Sequence, residues 1–208
     1  MIAGLILAGG KASRMGGADK ALIQLAGRPL IAYAVERLQP QATALAISAN
    51  GDPARFASFG LPVLPDPLPD FPGPLAGILA GMDWAKAVCP DCRWLLTVPC
   101  DTPFLPADLA ANLLKAVDRD GARLALAASE GKDHPVIALW PLALAEDLRR
   151  ALLTEGLHKV GQFAARYKKA LADFPAQDGT DPFMNVNTPQ ELKLAEKIVA
   201  TSPGLPAR

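Results

Sequence analysis

The sequence predicts an α/β protein, a mostly parallel sheet with helices on both faces, and three observations carry that expectation. Apolar runs of strand length alternate with stretches of helical periodicity almost throughout the chain, the pattern of strand–helix–strand units. The first run, Ile2–Leu7, is apolar without interruption, as in a strand covered on both sides. Three runs stop at glycine, proline or acid: Leu7 before Gly9-Gly10, Leu64 before Pro65-Asp66, and Val98 before Pro99-Cys100-Asp101. Ligands of parallel sheets bind beyond the carboxyl ends of the strands, so these three ends are expected to open on one crevice.

The elements follow in order. After Ile2–Leu7 a loop runs to Lys20, and Ala21–Leu25 reads as a short strand that stops at Ala26-Gly27-Arg28. Pro29 suits a first helical position, and Leu30, Ala34, Val35 and Leu38 make one helical face. Thr43–Ser48 reads as a strand ending at Asn50-Gly51, and Asp52 is placed to cap a short helix from Pro53. Leu61–Leu64 is a brief strand. Pro67–Pro74 holds four prolines in eight residues, too stiff and too apolar for a flexible linker. A helix over Leu75–Lys86 follows, with Ala76, Gly77, Ala80 and Gly81 small enough for close packing. Trp94–Val98 is a buried strand, Pro106 opens a helix to about Asp118, and Arg123–Ala128 and His134–Trp140 are the next two strands. Leu142–Leu153 and His158–Lys169 are expected as helices and Ala170–Phe174 as a short strand. Thr188-Pro189 caps a last helix to about Ala200, so one domain over 1–200 with a frayed 201–208 tail is expected.

The 208 residues suit one domain, able to bury roughly 70% of its unfolded surface. Lys+Arg and Asp+Glu are both 21, so no global field draws the chain to nucleic acid or to an anionic membrane. Any attraction for anions must be local. No apolar run reaches the ~20 residues of a membrane span, and Ile2–Leu7 lacks the basic start and cleavage site of a signal peptide. Three cysteines, an odd number, argue against a disulfide framework, and a reducing cytoplasm is the expected compartment. Cys89-Pro90-Asp91-Cys92 is one C-x-x-C with no second pair, and it reads as a loop closure rather than a zinc or redox site.

The stretch around which the chain is organised is Ile2–Lys20. Past the first strand it breaks into Gly9-Gly10, carries Lys11 and Arg14, and turns again at Gly16-Gly17 before Asp19-Lys20. Glycine amides line anion-binding concavities, and three cations with few acids among them suit a polyphosphate. A solvated surface loop is the alternative. Two named phosphate loops are excluded: neither G-x-x-x-x-G-K-[ST] nor G-x-G-x-x-G is present.

What stands instead, L-A-G-G-x-x-x-R-M-G-G-x-D-K, resembles the signature of nucleotidyltransferases, and most closely that of the molybdenum cofactor guanylyltransferase (MobA) family. Pro99-Cys100-Asp101-Thr102-Pro103, the Asp66–Gly77 loop and Asn185-Val186-Asn187-Thr188-Pro189 match further motifs of that family in order, so the resemblance spans Leu7 to Leu192. It implies a Rossmann-like nucleotidyltransferase fold and transfer of GMP from GTP to molybdopterin carrying molybdenum, with Mg2+ as cofactor. It also implies roles. Arg14, Lys20 and Asp101 would be catalytic, with Asp101 the metal ligand. Leu7, Ala8, Gly9, Gly10, Lys20, Asn50, Asp66, Gly73, Gly77 and Asp101 would bind the nucleotide, and Asn185 and Asn187 the acceptor. His134-Pro135 matches a family dipeptide.

Residue chemistry is compatible with each role but leaves alternatives. Asp101 follows an apolar strand and could offer oxygens to a hard cation, or could cap a turn. Asp66 could be an acid in a proline turn, Asn50-Gly51 a plain turn, and Thr188 a helix cap. Asn185 and Asn187 share a side if their segment is extended. No Ser/His/Asp or Cys/His set suggests a covalent nucleophile. Rival functions are a relative using CTP, against which Gly9 leans, one acting on a sugar phosphate, and a non-catalytic module that carries the cofactor to molybdoenzymes or their chaperones.

Overall fold

A computed structural model describes residues 1–9, 19–68 and 73–201. Gly10, Lys11, Arg14, Gly16 and Gly17, all singled out above, lie outside the described residues, as do residues 69–72 of the proline-rich stretch and the chain beyond Thr201.

The strands are β1 (Ile2–Leu7), β2 (Gln24–Leu25), β3 (Arg28–Pro29), β4 (Ala44–Ser48), β5 (Val63–Leu64), β6 (Trp94–Pro99), β7 (Leu124–Ser129), β8 (Lys132–Pro141) and β9 (Lys169–Asp173). The helices are α1 (Leu30–Leu38), α2 (Pro74–Val88), α3 (Leu109–Asp120), α4 (Ala145–Glu155), α5 (Val160–Ala164) and α6 (Pro189–Thr201). Seven strands form one sheet in the order β5-β4-β1-β6-β8-β7-β9. Six of them run the same way and β8 alone runs against its neighbours β6 and β7, so the expected mostly parallel α/β sheet is present.

Alternation along β1 divides the core. Ile6 packs with Ile31, Ala34 and Leu38 of α1 and with Leu113 and Val117 of α3. Leu5 and Leu7 pack on the other face with Leu75, Ile78 and Met82 of α2 and Leu148 of α4. Both faces are therefore dry, which is why β1, β4, β6 and β7 read as predominantly apolar runs, with Ser48, Thr97 and Ser129 as buried exceptions. A third cluster seats α6 outside α1, through Ala195 against Leu25, Leu30 and Tyr33.

Two expectations are corrected. The expected strand Ala21–Leu25 begins as a 3-10 turn over Lys20–Leu22, capped by Asp19, and only Gln24–Leu25 is extended, paired with Arg28–Pro29. The expected helix His158–Lys169 is helical only over Val160–Ala164. Lys169 already belongs to β9, where Ala170 and Ala172 are buried while Lys169, Leu171 and Asp173 face out. That period of two is a strand's, and parallel pairing with β7 realises it.

Glu130 and Gly131 both take positive φ, 49° and 75°, and close a two-residue hairpin between β7 and β8. Between Leu126 and Ala127 the register shifts, so that Ala138 opposes Leu126 while His134 opposes Ala127. Pro135 sits in that bulge, where no ladder donor is required. Cys89 and Cys92 form a disulfide. The C-x-x-C read as a loop closure closes its loop covalently, just ahead of β6, and Cys100 is a buried free thiol. No helix among the described residues is long and apolar enough to cross a membrane.

Candidate active site

The four parallel strands at the centre and edge of the sheet end in one row. Leu7 pairs with Ser48 and with Pro99, and Ser48 pairs with Leu64. One further backbone bond extends each step, from Ala8 N to Ser48 O (2.9 Å), Ala49 N to Leu64 O (3.0 Å) and Cys100 N to Leu7 O (3.1 Å). Gly9, Asn50, Asp66 and Asp101 each stand two residues past that row. Extension of a common ladder, rather than loop chance, brings these four positions to one edge.

At one end of this edge Lys20 is the meeting point. Its ammonium donates to Asp101 Oδ2 and to Asn187 Oδ1. The turn that carries Lys20 is started by Asp19, whose Oδ1 accepts from Ala21 N at 3.1 Å. The segment that carries Asn187 is tied down twice: Val186 N donates to Asp101 O (2.9 Å), and Thr102 Oγ1 donates to Asn185 Oδ1 (2.9 Å). Val186, between the two asparagines, is fully buried, while Asn185 is exposed and Asn187 half-buried. Glu191 Oε2 accepts from Asn187 N at 2.7 Å while Thr188 Oγ1 caps Glu191 N at 3.2 Å. Thr188 thus takes its capping role.

At the other end, Asn50 and Asp66 hold each other reciprocally. Asn50 Nδ2 donates to Asp66 Oδ2 at 2.7 Å and Asp66 N donates to Asn50 Oδ1 at 2.8 Å. Between the two ends, α2 begins at Gly73. Its φ of 123° and ψ of 173° are open only to glycine. Gly77 is buried one turn on, where a Cβ would overlap Ser48 Oγ and lie 3.1 Å from Leu7 Cδ2. Close approach of α2 to the strand ends therefore accounts for a glycine at 77.

Two polar groups near the crevice offer no nucleophile. Burial, and secondarily the Asp101 charge, push the Cys100 thiol well above its usual range, so it stays protonated. Ser129, 1% exposed, donates its single hydroxyl proton to Asp181 Oδ1 (2.7 Å) and contacts His134 Nε2 at 2.9 Å. The imidazole must therefore carry its hydrogen on Nε2. The order acid–serine–histidine is the wrong way round for a serine nucleophile, which needs histidine as its base. Asp181 also accepts from Phe183 N at 2.9 Å, so the relay suspends the segment that leads to Asn185 and Asn187. Asp181 and Ser129 escaped the sequence reading. Asp181-Pro182 is a turn signal, but nothing local pairs it with a serine 52 residues away.

No group of three or more His, Cys, Asp or Glu capable of holding a metal occurs among the described residues. Asp101 and the Asn187 side-chain oxygen are hard donors without sulfur or imidazole, a set that fits a cation completed by phosphate oxygens and water.

An open parallel sheet that gathers a lysine, a carboxylate and amides at its strand ends is the architecture of the nucleotide-dependent transferases. The crystal structure of CMP:2-keto-3-deoxy-manno-octonic acid synthetase complexed with CTP superposes with a TM-score of 0.72 at 15% identity, covering 96% of this chain and 98% of that one. That of molybdopterin-guanine dinucleotide biosynthesis protein A from Archaeoglobus fulgidus gives 0.73 at 22%, covering 96% and 100%. These likenesses concern the fold. The family described as MobA-like NTP transferase domain matches residues 4–170. A molybdenum cofactor guanylyltransferase of Rhodopseudomonas palustris (strain BisB5) is 55% identical over 194 residues, 93% of this chain and 92% of the relative. The chain belongs to the MobA-like NTP transferase family, and is a nucleotidyltransferase.

Proposed function

We propose that the chain transfers GMP from GTP to molybdopterin carrying molybdenum, giving the guanine dinucleotide cofactor and pyrophosphate. The observation that carries this reading is the convergence of Lys20, Asp101 and Asn187, drawn from three separate motifs, on one point of the crevice. An acceptor phosphate oxygen forms the new bond to the α-phosphorus while the bond to the β-phosphate oxygen breaks. Two anions have to meet, so the protein's work is positioning and charge neutralisation.

Lys20 has three ammonium donors, of which Asp101 and Asn187 engage two, leaving one for a phosphate oxygen. Arg14 would add a bidentate contact to phosphate. Members of the family generally depend on a metal ion, and Asp101 with the Asn187 oxygen would hold it here. Bound Mg2+ would supply charge neutralisation at the phosphates. Leu7, Ala8, Gly9 and Gly10 would bring main chain to the nucleotide, and Gly73 would let the start of α2 approach it. Asn185, held by Thr102, would face the acceptor.

Asp66 supports guanine in particular. One of its oxygens takes the Asn50 amide, and an ionised carboxylate has acceptor capacity to spare. Guanine offers N1–H and a 2-amino group to such an acceptor. Adenine N1 and cytosine N3 would present lone pairs to it instead.

The test is pyrophosphate release from the chain incubated with Mg2+, molybdenum-loaded molybdopterin and each of the four NTPs. Release with GTP alone, lost in Asp101→Asn, is expected. Release with CTP would move the base preference, and no release with any NTP from a folded chain would sink the transferase reading for this site.

A further inference from the structure

Arg55 lies in the 3-10 turn Pro53–Phe59 that follows β4, outside every motif considered above. Its guanidinium nevertheless joins both ends of the crevice. Nε pairs with Asp19 Oδ2 at 2.6 Å, at the exit of the glycine-rich loop and next to Lys20. Nη2 donates to Asn50 O at 2.6 Å and Nη1 to Asp52 O at 2.7 Å. The guanidinium carbon sits 4.6 Å from the centroid of the fully buried Phe56 ring, which fixes the plane of the fork. Asp52 in turn caps the same turn through Ala54 N.

We infer that Arg55 is a positioning residue that sets Lys20 and the Asn50–Asp66 pair at the spacing one nucleotide requires. Asp19 divides its carboxylate between Ala21 N and Arg55, so the turn that aims Lys20 is braced against the loop that presents Asn50. A planar, always-charged fork reaches a carboxylate and two carbonyls at once, which an ammonium cannot reproduce. The inference rests on the reading that Lys20 meets phosphate and Asp66 meets the base of the same NTP. If so, loosening Arg55 misplaces the base relative to the α-phosphate, and misplacement of ~1 Å costs about 100-fold in rate.

The experiment measures kcat and KM of the intact chain and of Arg55→Met, Arg55→Lys, Asp19→Asn and the double variant Arg55→Met/Asp19→Asn, with all four NTPs. Methionine keeps an apolar stem over Phe56. The expected result for Arg55→Met is a fall of ~10- to 100-fold in kcat/KM for the NTP the wild type prefers, together with a smaller ratio over the next-best NTP. Arg55→Lys recovers part of both. The double variant should be no worse than Arg55→Met, because both changes remove one brace. A loss of thermal stability with wild-type kcat/KM and wild-type discrimination overturns the inference. A wild type that prefers another NTP overturns the guanine reading alone, since Arg55→Met is still judged on that preferred NTP.

Discussion

Asn50 and Asp66 are locked to each other by two antiparallel hydrogen bonds, side chain to side chain at 2.7 Å and side chain to backbone at 2.8 Å. Each lies two residues beyond its strand, and β4 and β5 are neighbours, so the pair bridges adjacent strand ends. Asn50 is exposed, and Asp66 is half-buried beside it.

Asp66→Ala is expected to weaken GTP binding by roughly 10- to 100-fold, the worth of a hydrogen bond to a charged acceptor at about 1.5–3 kcal/mol. Isothermal calorimetry with Mg2+ and GTP checks it. An unchanged dissociation constant would remove Asp66 from the base site.

Asp101→Asn keeps the shape of the side chain and a neutral acceptor for Lys20, but loses the charge. Transfer should fall at least ~100-fold, and the far-ultraviolet circular dichroism should match the wild type. Full activity in Asp101→Asn would mean that the carboxylate holds no metal in the reaction.

Gly77→Ala should cost about 1–3 kcal/mol by overpacking, because the added Cβ meets Ser48 Oγ. Ser48→Ala in the same chain removes that atom and should restore part of the urea midpoint, the Leu7 contact accounting for the remainder. If the double variant is no more stable than Gly77→Ala, the crowding lies elsewhere.

His134 carries a pH dependence of stability. Burial lowers its affinity for protons below that of a free imidazole, against a smaller upward pull from Asp181; Lys132 lowers it further and Asp133 opposes. The unfolded chain therefore binds a proton first, at pH values below about 6.5. Stability should decline as pH falls through about 6.5 towards the lower native value, and be retained above it. Comparing urea midpoints at pH 7.5 and 5.5 in wild type and His134→Gln isolates the effect; an identical pH response in the two would assign it to other groups.

Asp66 and Asp101 were legible as strand-end acids because each closely follows a mostly apolar run of strand length, whereas Asn50 was singled out only by the family resemblance. Asp52 was legible as a cap because capping is local: its carboxylate reaches Ala54 N, two residues on. Ala21–Leu25 and His158–Lys169 misled because apolar residues there serve neighbours remote in sequence. Leu25 packs with Val186, and Lys169 is drawn out of the expected helix by pairing with Leu124 of β7, which extends the expected strand from Ala170 by one residue. The Cys89–Cys92 disulfide was half legible, as a closure but not as a covalent one.

By itself the sequence determined the alternation of strands and helices and which acids stand at strand ends, since these follow from periodicity and turn chemistry within a few residues. Only the tertiary structure decided that Lys20 sits between Asp101 and Asn187, that Ser129 and His134 hold Asp181, and that Arg55 braces Asp19 against Asn50. The contacts to Asp101, Asn187, Asp181 and Asp19 span 81, 167, 52 and 36 residues and are set by strand order and register. The Ser129–His134 contact answers to the shift in register between β7 and β8, and only the bond from Arg55 to Asn50 is local. A hydrogen-bonding side chain carries no local mark of its partner, so its role emerges only when the sheet brings the two together.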